Sequence, residues 1–186
     1  MPYNGTFAEK IVISENFVER KPAHLTWPEA GVFSLSALTG YRALITQGKL
    51  KRNETLFIPG VGGGGVTSFI IQMAKVIGAR VITTSRQPNK LKEAELLGFD
   101  RGLLTDDDWV KELEDEQIDM VIDSIGGATF NRSLEVLKKG GAEWLRLVLR
   151  LMMKYRSIYV NFSMVNILYW DQRWAVGKSC MNCWIL

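Results

Sequence analysis

Across its first 179 residues the chain contains no cysteine, and His24 is the only histidine in all 186. A metal centre of thiolates and imidazoles has almost nothing to build on. The two cysteines, Cys180 and Cys183, form a lone C-x-x-C pair near the C-terminus. With no second pair and no histidine nearby, that is half a zinc site at best. No apolar run reaches the roughly 18 residues that a membrane-spanning helix requires. The opening MPYNGTFAEK also lacks a basic stretch followed by an apolar core. The expectation is therefore a cytoplasmic protein with no membrane contact. Acidic residues are missing from Val66 to Lys92, a gap whose meaning depends on what stands before it.

What is present describes an ordinary globular chain: 47% apolar, 23% charged, and long enough for one substantial domain with part of another. The formal charge of +3 is unevenly placed. Residues 1–141 hold 17 Lys/Arg against 18 Asp/Glu, whereas residues 142–186 hold six against Glu143 and Asp171. A near-neutral body without a basic stripe excludes nucleic acid as the expected partner.

Apolar periodicity organises the chain. GTFAEKIVIS alternates as a strand, with Phe7, Ile11 and Ile13 on one face. Thr26 followed by Glu29 is a capping box, with Pro28 in the first turn, and opens a helix from Trp27; Gly40 leaves open whether it runs unbroken to Thr46. Strands and helices then alternate. TLFIP reads as a buried strand, and Phe69, Ile70, Met73, Ala74 and Ile77 lie at helical spacing before Gly78. ARVITT is the next strand, QPNKLKEAELLG a helix, and RGLL a short strand. TDDDWVKELE reads as a helix, DMVIDSIGG as a strand running into a turn, and TFNRSLEVLKKGG as the closing helix. This alternation predicts an α/β, Rossmann-like, doubly wound parallel sheet with helices on both faces.

The segment FIPGVGGGGVTSF joins the first of these strands to its helix, and Gly60, Gly62 and Gly65 satisfy G-x-G-x-x-G. Residues without Cβ let backbone approach a pyrophosphate, and the helix start supplies unpaired N–H groups and the positive end of the dipole. In a βαβ context that points to a dinucleotide rather than a loose turn. An adenosine 2′-hydroxyl is normally met by an acid about 20 residues further on. The acid-free stretch ends instead in Ser85 and Arg86, with Lys90 behind. A hydroxyl and two cations suit a 2′-phosphate, so NADPH (NADP) is the expected cofactor.

GTFAEKIVIS, LTGYRAL, the glycine turn with IQMAKVIGARVITTSR, KLKEAELLGFD and DMVIDSIGGATFNRSLEVLKKGG occur in an order that resembles the medium-chain dehydrogenase/reductase superfamily. The resemblance is to its zinc-independent quinone oxidoreductase side, within the zinc-type alcohol dehydrogenase-like proteins. It implies cofactor contacts at Thr39 beside the nicotinamide, and at Gly62, Gly63, Gly64, Gly65 and Val66 along the pyrophosphate. It further implies Ser85, Arg86 and Lys90 around the 2′-phosphate, and Ser124, Ile125 and Gly126 near the nicotinamide ribose. Zinc-type members place a metal-binding cysteine four residues before that threonine, where this chain has Leu35; no metal is expected. The same resemblance makes residues 1–24 a remnant of a GroES-like substrate domain truncated at its front, and residues 25–141 the NADP-binding Rossmann domain. Full-length relatives are expected to be homodimers.

After Gly141 the resemblance stops. At face value Arg146, Arg150 and Lys154 line one face of a basic amphipathic helix. A codon choice for residues 142–154, read from the last base of the first codon, instead gives RMVAFGATTDDE, a fifth strand and loop of the family's kind. Residues 142–186 are thus expected to be an out-of-frame tail following a frameshift, in which Cys180 and Cys183 carry no selected role. The sheet would lose its own fifth and sixth strands, with the tail pairing at that edge or staying unfolded. Hydride transfer from NADPH to a quinone, enone or related carbonyl acceptor is the leading function. The alternatives are an inert NADPH-binding fragment and a tail-mediated membrane or partner module. No residue stands out as a general acid: Tyr41 reads as a packed helix tyrosine, His24 as a loop residue, and Asp123 as a strand-end carboxylate bonding backbone.

Overall fold

The computed structural model describes residues 8–62, 64–137, 146–149 and 166–169. Its centre is a parallel sheet of β1 (Thr55–Ile58), β2 (Arg80–Ser85), β3 (Arg101–Leu104), β4 (Met120–Asp123), β5 (Arg146–Leu149) and β6 (Asn166–Tyr169), in the order β3-β2-β1-β4-β5-β6. β1 lies between β2 and β4, in register Thr55↔Arg80 and Leu56↔Met120. The side-chain period of two splits the core in two. Leu56 and Ile58 pack on one face with Ile70, Ile71, Ala74 and Val81, while Phe57 joins Ile82, Trp109, Leu113 and Val121 on the other. Both faces being covered is what a parallel sheet demands.

Helix α1 (Trp27–Tyr41) begins as the sequence requires. The Glu29 carboxylate accepts from the Thr26 backbone N–H and from the Thr26 hydroxyl, each at 2.8 Å. Gly40 does not break it; the helix runs on as a π-type segment, Arg42–Gln47. A Cβ on Gly40 would come within 3.1 Å of Ile70 and 3.2 Å of Met73, so its absence lets α1 lie close against α2 (Gly65–Ile77). Gly78 ends α2 in the left-handed region, and Gly98 does the same beyond α3 (Pro88–Ala94) and its 3₁₀ extension Glu95–Leu97. α4 (Trp109–Glu112) and α5 (Phe130–Glu135) are shorter than the periodicity predicts. Asp108 caps α4, which places the start inside the acidic run rather than before it.

One expectation is corrected, and one choice left open is decided. Residues 8–13 form no strand, and Ile11, Val12 and Ile13 are exposed. A strand needs a ladder partner, and no described strand lies beside this segment. Arg146 does not begin a helical basic face. Arg146–Leu149 pairs in parallel with β4, because the apolar edge of Met120–Asp123 presents unpaired backbone groups. Asn166–Tyr169 adds a sixth strand beside it. Tail segments therefore occupy the fifth and sixth sheet positions, while Arg150, Lys154, Cys180 and Cys183 lie outside the described residues. Among the described residues no helix is long and apolar enough to cross a membrane.

Asp100 ties β2 to α2. Its carboxylate accepts from Lys75 Nζ at 2.8 Å and from the Val81 N–H at 2.7 Å. Burial pushes its pKa up, but the Lys75 hydrogen bond, the Val81 N–H and the charges of Lys75 and Arg80 outweigh it and hold the group below the ordinary value. A depressed carboxylate stabilises the fold above its unfolded pKa and loses that contribution as pH falls through the folded one. Asp100→Asn should cost about 0.5–1 kcal/mol at neutral pH, small because both partners are partly solvated. In urea titrations the gap between wild type and variant should close as pH is lowered from 7 toward about 3; a gap independent of pH would contradict this account.

Candidate functional site

A cavity of about 880 Å³ opens outside the C-terminal ends of β1 and β4, where successive strands diverge to either side of the sheet. In open α/β sheets that switch point is where ligands bind. Its wall is built from the β1–α2 turn, the end of β2 with the start of α3, the loop after β3, the loop after β4, and α1.

The glycine turn is held from the neighbouring strand. The Gly60 N–H donates to Thr84 Oγ at 3.0 Å, and the Val61 N–H to the Thr84 carbonyl at 2.6 Å. Thr105 donates its hydroxyl to Thr84 Oγ at 3.1 Å, and Thr67 donates to the Gly60 carbonyl at 3.4 Å. Gly60 and Gly62 have φ of +81° and +88°, a region costly for any residue with a Cβ. A Cβ on Gly60 would also sit 2.5 Å from Ile125 Cδ1, and one on Gly62 2.9 Å from Lys90 Cβ. At Gly64, by contrast, a Cβ would meet nothing within 4 Å, so this part of the turn is open. Gly64 is also the N-cap of α2 and no side chain caps it, which leaves the first N–H groups for a ligand or water.

Of the positions singled out in the sequence, Thr39, Gly62, Gly64, Val66, Ser85, Arg86, Lys90, Ser124 and Ile125 line this one cavity. Gly65 and Gly126 do not line it, and Gly63 is outside the described residues. Arg86 and Lys90 are exposed on the wall and pair with no carboxylate among the described residues. Ser85 differs from its partners. It is 2% exposed, and its hydroxyl donates to the Val61 carbonyl at 3.2 Å while accepting from the Gln87 N–H at 3.3 Å. Thr39 likewise spends its proton within the protein, on the Leu35 carbonyl at 2.8 Å. Its oxygen keeps acceptor capacity.

Asp123 is fully buried. Its Oδ1 accepts from the Ile125 and Gly126 N–H groups at 2.8 Å, and its Oδ2 from the hydroxyls of Thr129 at 2.6 Å and Ser133 at 3.0 Å. Those four bonds shape the loop after β4 and tie it to α5. The other acidic group on the wall, Asp106, belongs to the loop after β3. Tyr41 does not line the cavity and His24 lies in an exposed turn. Sequence reasoning missed Thr84, Thr105 and Arg132. Thr84 read as a strand residue and Thr105 as the start of a helix, and only their place at the strand ends, level with the glycine turn, could have marked them.

The zinc-binding dehydrogenase family matches residues 65–144. A mitochondrial NAD(P)H oxidoreductase of Danio rerio, RTN4IP1, is 35% identical over 150 residues, covering 77% of this chain and 38% of the relative. A crystal structure of an NAD-dependent alcohol dehydrogenase superposes with a TM-score of 0.71 at 30% identity, over 78% of this chain and 42% of that one. The Escherichia coli quinone oxidoreductase complexed with NADPH gives 0.60 at 27% identity, over 69% and 39%. The chain thus spans about two fifths of the length of these proteins.

Removing the Asp123 carboxylate strands two backbone N–H groups and two hydroxyls in a buried site. Asp123→Ala should therefore destabilise the fold by about 3–5 kcal/mol, and Asp123→Asn, which keeps one acceptor, by roughly half of that. Denaturant titration of the three proteins checks the ranking; equal losses for Ala and Asn would show that the acceptor geometry is irrelevant.

Proposed function

We propose that this chain, which belongs to the medium-chain dehydrogenase/reductase superfamily, forms the cofactor-binding part of an NADPH-dependent oxidoreductase acting without zinc on a quinone, enone or related carbonyl acceptor. The observation that carries this reading is the cavity wall after β2: Arg86 and Lys90 line the same cavity as the open glycine turn, and the sequence has no Asp or Glu from Val66 to Lys92.

The residues present fit a phosphorylated dinucleotide. A cavity of about 880 Å³ lies in the range of small-ligand sites. Gly64 and the uncapped start of α2 offer backbone donors to a pyrophosphate. Arg86 and Lys90 would bind the 2′-phosphate by charge-assisted hydrogen bonds. Ser85 contributes from behind, fixing the Val61 carbonyl and the Gln87 N–H so that the cationic wall keeps its shape. Thr39, Ser124 and Ile125 would border the nicotinamide end. When bound, NADPH supplies the hydride; the protein supplies orientation and exclusion of water. The zinc-free part of the reading rests on the donor set, since Leu35, four residues before Thr39, has no lone pair to offer. We place the protein in the cytoplasm, acting on a small molecule, with full-length relatives as homodimers.

A second reading, cofactor binding without turnover, is favoured by one observation: the buried carboxylate of the cavity is saturated by four donors. Fluorescence titration separates the cases. NADPH should bind at least about tenfold more tightly than NADH, and reversing both charges, Arg86→Glu with Lys90→Glu, should abolish that preference, a change of about 1.4 kcal/mol or more. No binding of either nucleotide would overturn both readings. Turnover of a simple quinone with NADPH would remove the second one.

A further inference from the structure

Arg132 has no role in the reading above, yet it reaches from α5 across to the loop after β3. Its Nη1 donates to the Thr105 carbonyl at 3.1 Å and its Nη2 to the Asp107 carbonyl at 2.6 Å. Its guanidinium carbon lies 4.0 Å from the centroid of the buried Trp109 ring, and the indole N–H donates to that same Thr105 carbonyl at 3.2 Å. A planar donor fork stacked on an aromatic face has few alternative positions.

These contacts close a ring around the cavity. Arg132 fixes the Thr105 backbone, the Thr105 hydroxyl completes Thr84, and the Thr84 oxygen holds the Gly60 N–H. Ile125, 52% exposed, fills the volume beside Gly60 that a Cβ would need. The Ile125 N–H returns to Asp123, which grips α5 through Ser133, the residue next to Arg132. The other links join the ends of adjacent strands or residues no more than ten positions apart. Among the described hydrogen bonds of this ring, those of Arg132 join α5 to the loop after β3, beside the apolar packing of α5 against Trp109 and Leu103.

We propose that Arg132 is a positioning residue for dinucleotide binding: it closes this ring and so presets the glycine turn and the 124–126 loop before a ligand arrives. The proposal rests on the reading of the cavity as an NADPH site. Because it acts on the shared turn and not on the 2′-phosphate, its loss should weaken NADPH and NADH alike. A preset site binds more tightly because less ordering remains to be done on association.

The test compares wild type with Arg132→Lys, Arg132→Met and Thr105→Val. Both Arg132 variants and Thr105→Val should weaken each nucleotide about tenfold in fluorescence titration, the range expected for a supporting group. In the free variants the amides of Gly60, Val61, Ile125 and Gly126 should exchange faster with solvent, and saturating NADPH should restore their protection. A residue that only stabilised the fold would lower the melting temperature without this ligand-reversible change. Unchanged affinity in variants that fold, or a loss confined to NADPH, would overturn the proposal. Should Arg132→Met not fold, Arg132→Lys and Thr105→Val decide it. If wild type binds neither nucleotide, it is the reading of the cavity that fails; if wild type binds both and the variants match it, only the positioning role fails.

Discussion

A carboxylate with no exposure at the end of a central strand is costly unless its oxygens are satisfied. Asp123 meets that requirement with two backbone N–H groups on one oxygen and two hydroxyls on the other. Much follows from those four bonds. The turn after β4 must curl back over its own strand, α5 must start where Thr129 and Ser133 can reach inward, and Ile125 is set against Gly60. The glycine turn is then confined from two sides: by Thr84 on β2 and by Ile125 from the β4 loop.

The sheet makes this arrangement possible. Alternation along β1 sends Leu56 and Ile58 to one core and Phe57 to the other, so both faces are anchored and the strand ends stay level. Polar side chains at the ends of β2 and β3, Thr84 and Thr105, then meet at one height and can bond to each other and to the turn. Binding groups on the wall rest on strand termini rather than on long loops, which is what a preset site needs.

Much of this was legible in the sequence, because apolar period and glycine position are local signals. The strand–turn–helix at 55–77, the stops at Gly78 and Gly98, the capping box at Thr26 and the parallel sheet all follow from short stretches. Nine of the twelve positions singled out for the cofactor line a single cavity. The failures have a common cause: they depend on partners distant in the chain. Ile11 and Ile13 alternate correctly, but a strand without a neighbour does not form. Ser85 lines the cavity, but the bond of its hydroxyl to Val61, 24 residues away, has no local signal. Arg132 looks like a solvated helix cation until Trp109 and the carbonyl of Thr105 are placed beside it. Which of the two outcomes expected of residues 146–149 holds, pairing or not, likewise depends on the open edge of β4.

The strand order has a consequence for how the chain is made. Synthesis proceeds from the N-terminus, and β1, β2 and β3 pair with one another once residue 104 has emerged. The second edge of β1 must wait for Met120, and until then Leu56 and Phe57 border an unpaired, apolar strand. Such an edge is a template for whatever extended segment passes by. Asp119 shortens the search when β4 arrives. Its carboxylate accepts from the Thr55 N–H at 2.8 Å, marking the register in which the incoming strand belongs. A slip of one residue would turn Val121 toward the wrong core, so a single half-buried carboxylate acts as an index mark for the nascent sheet.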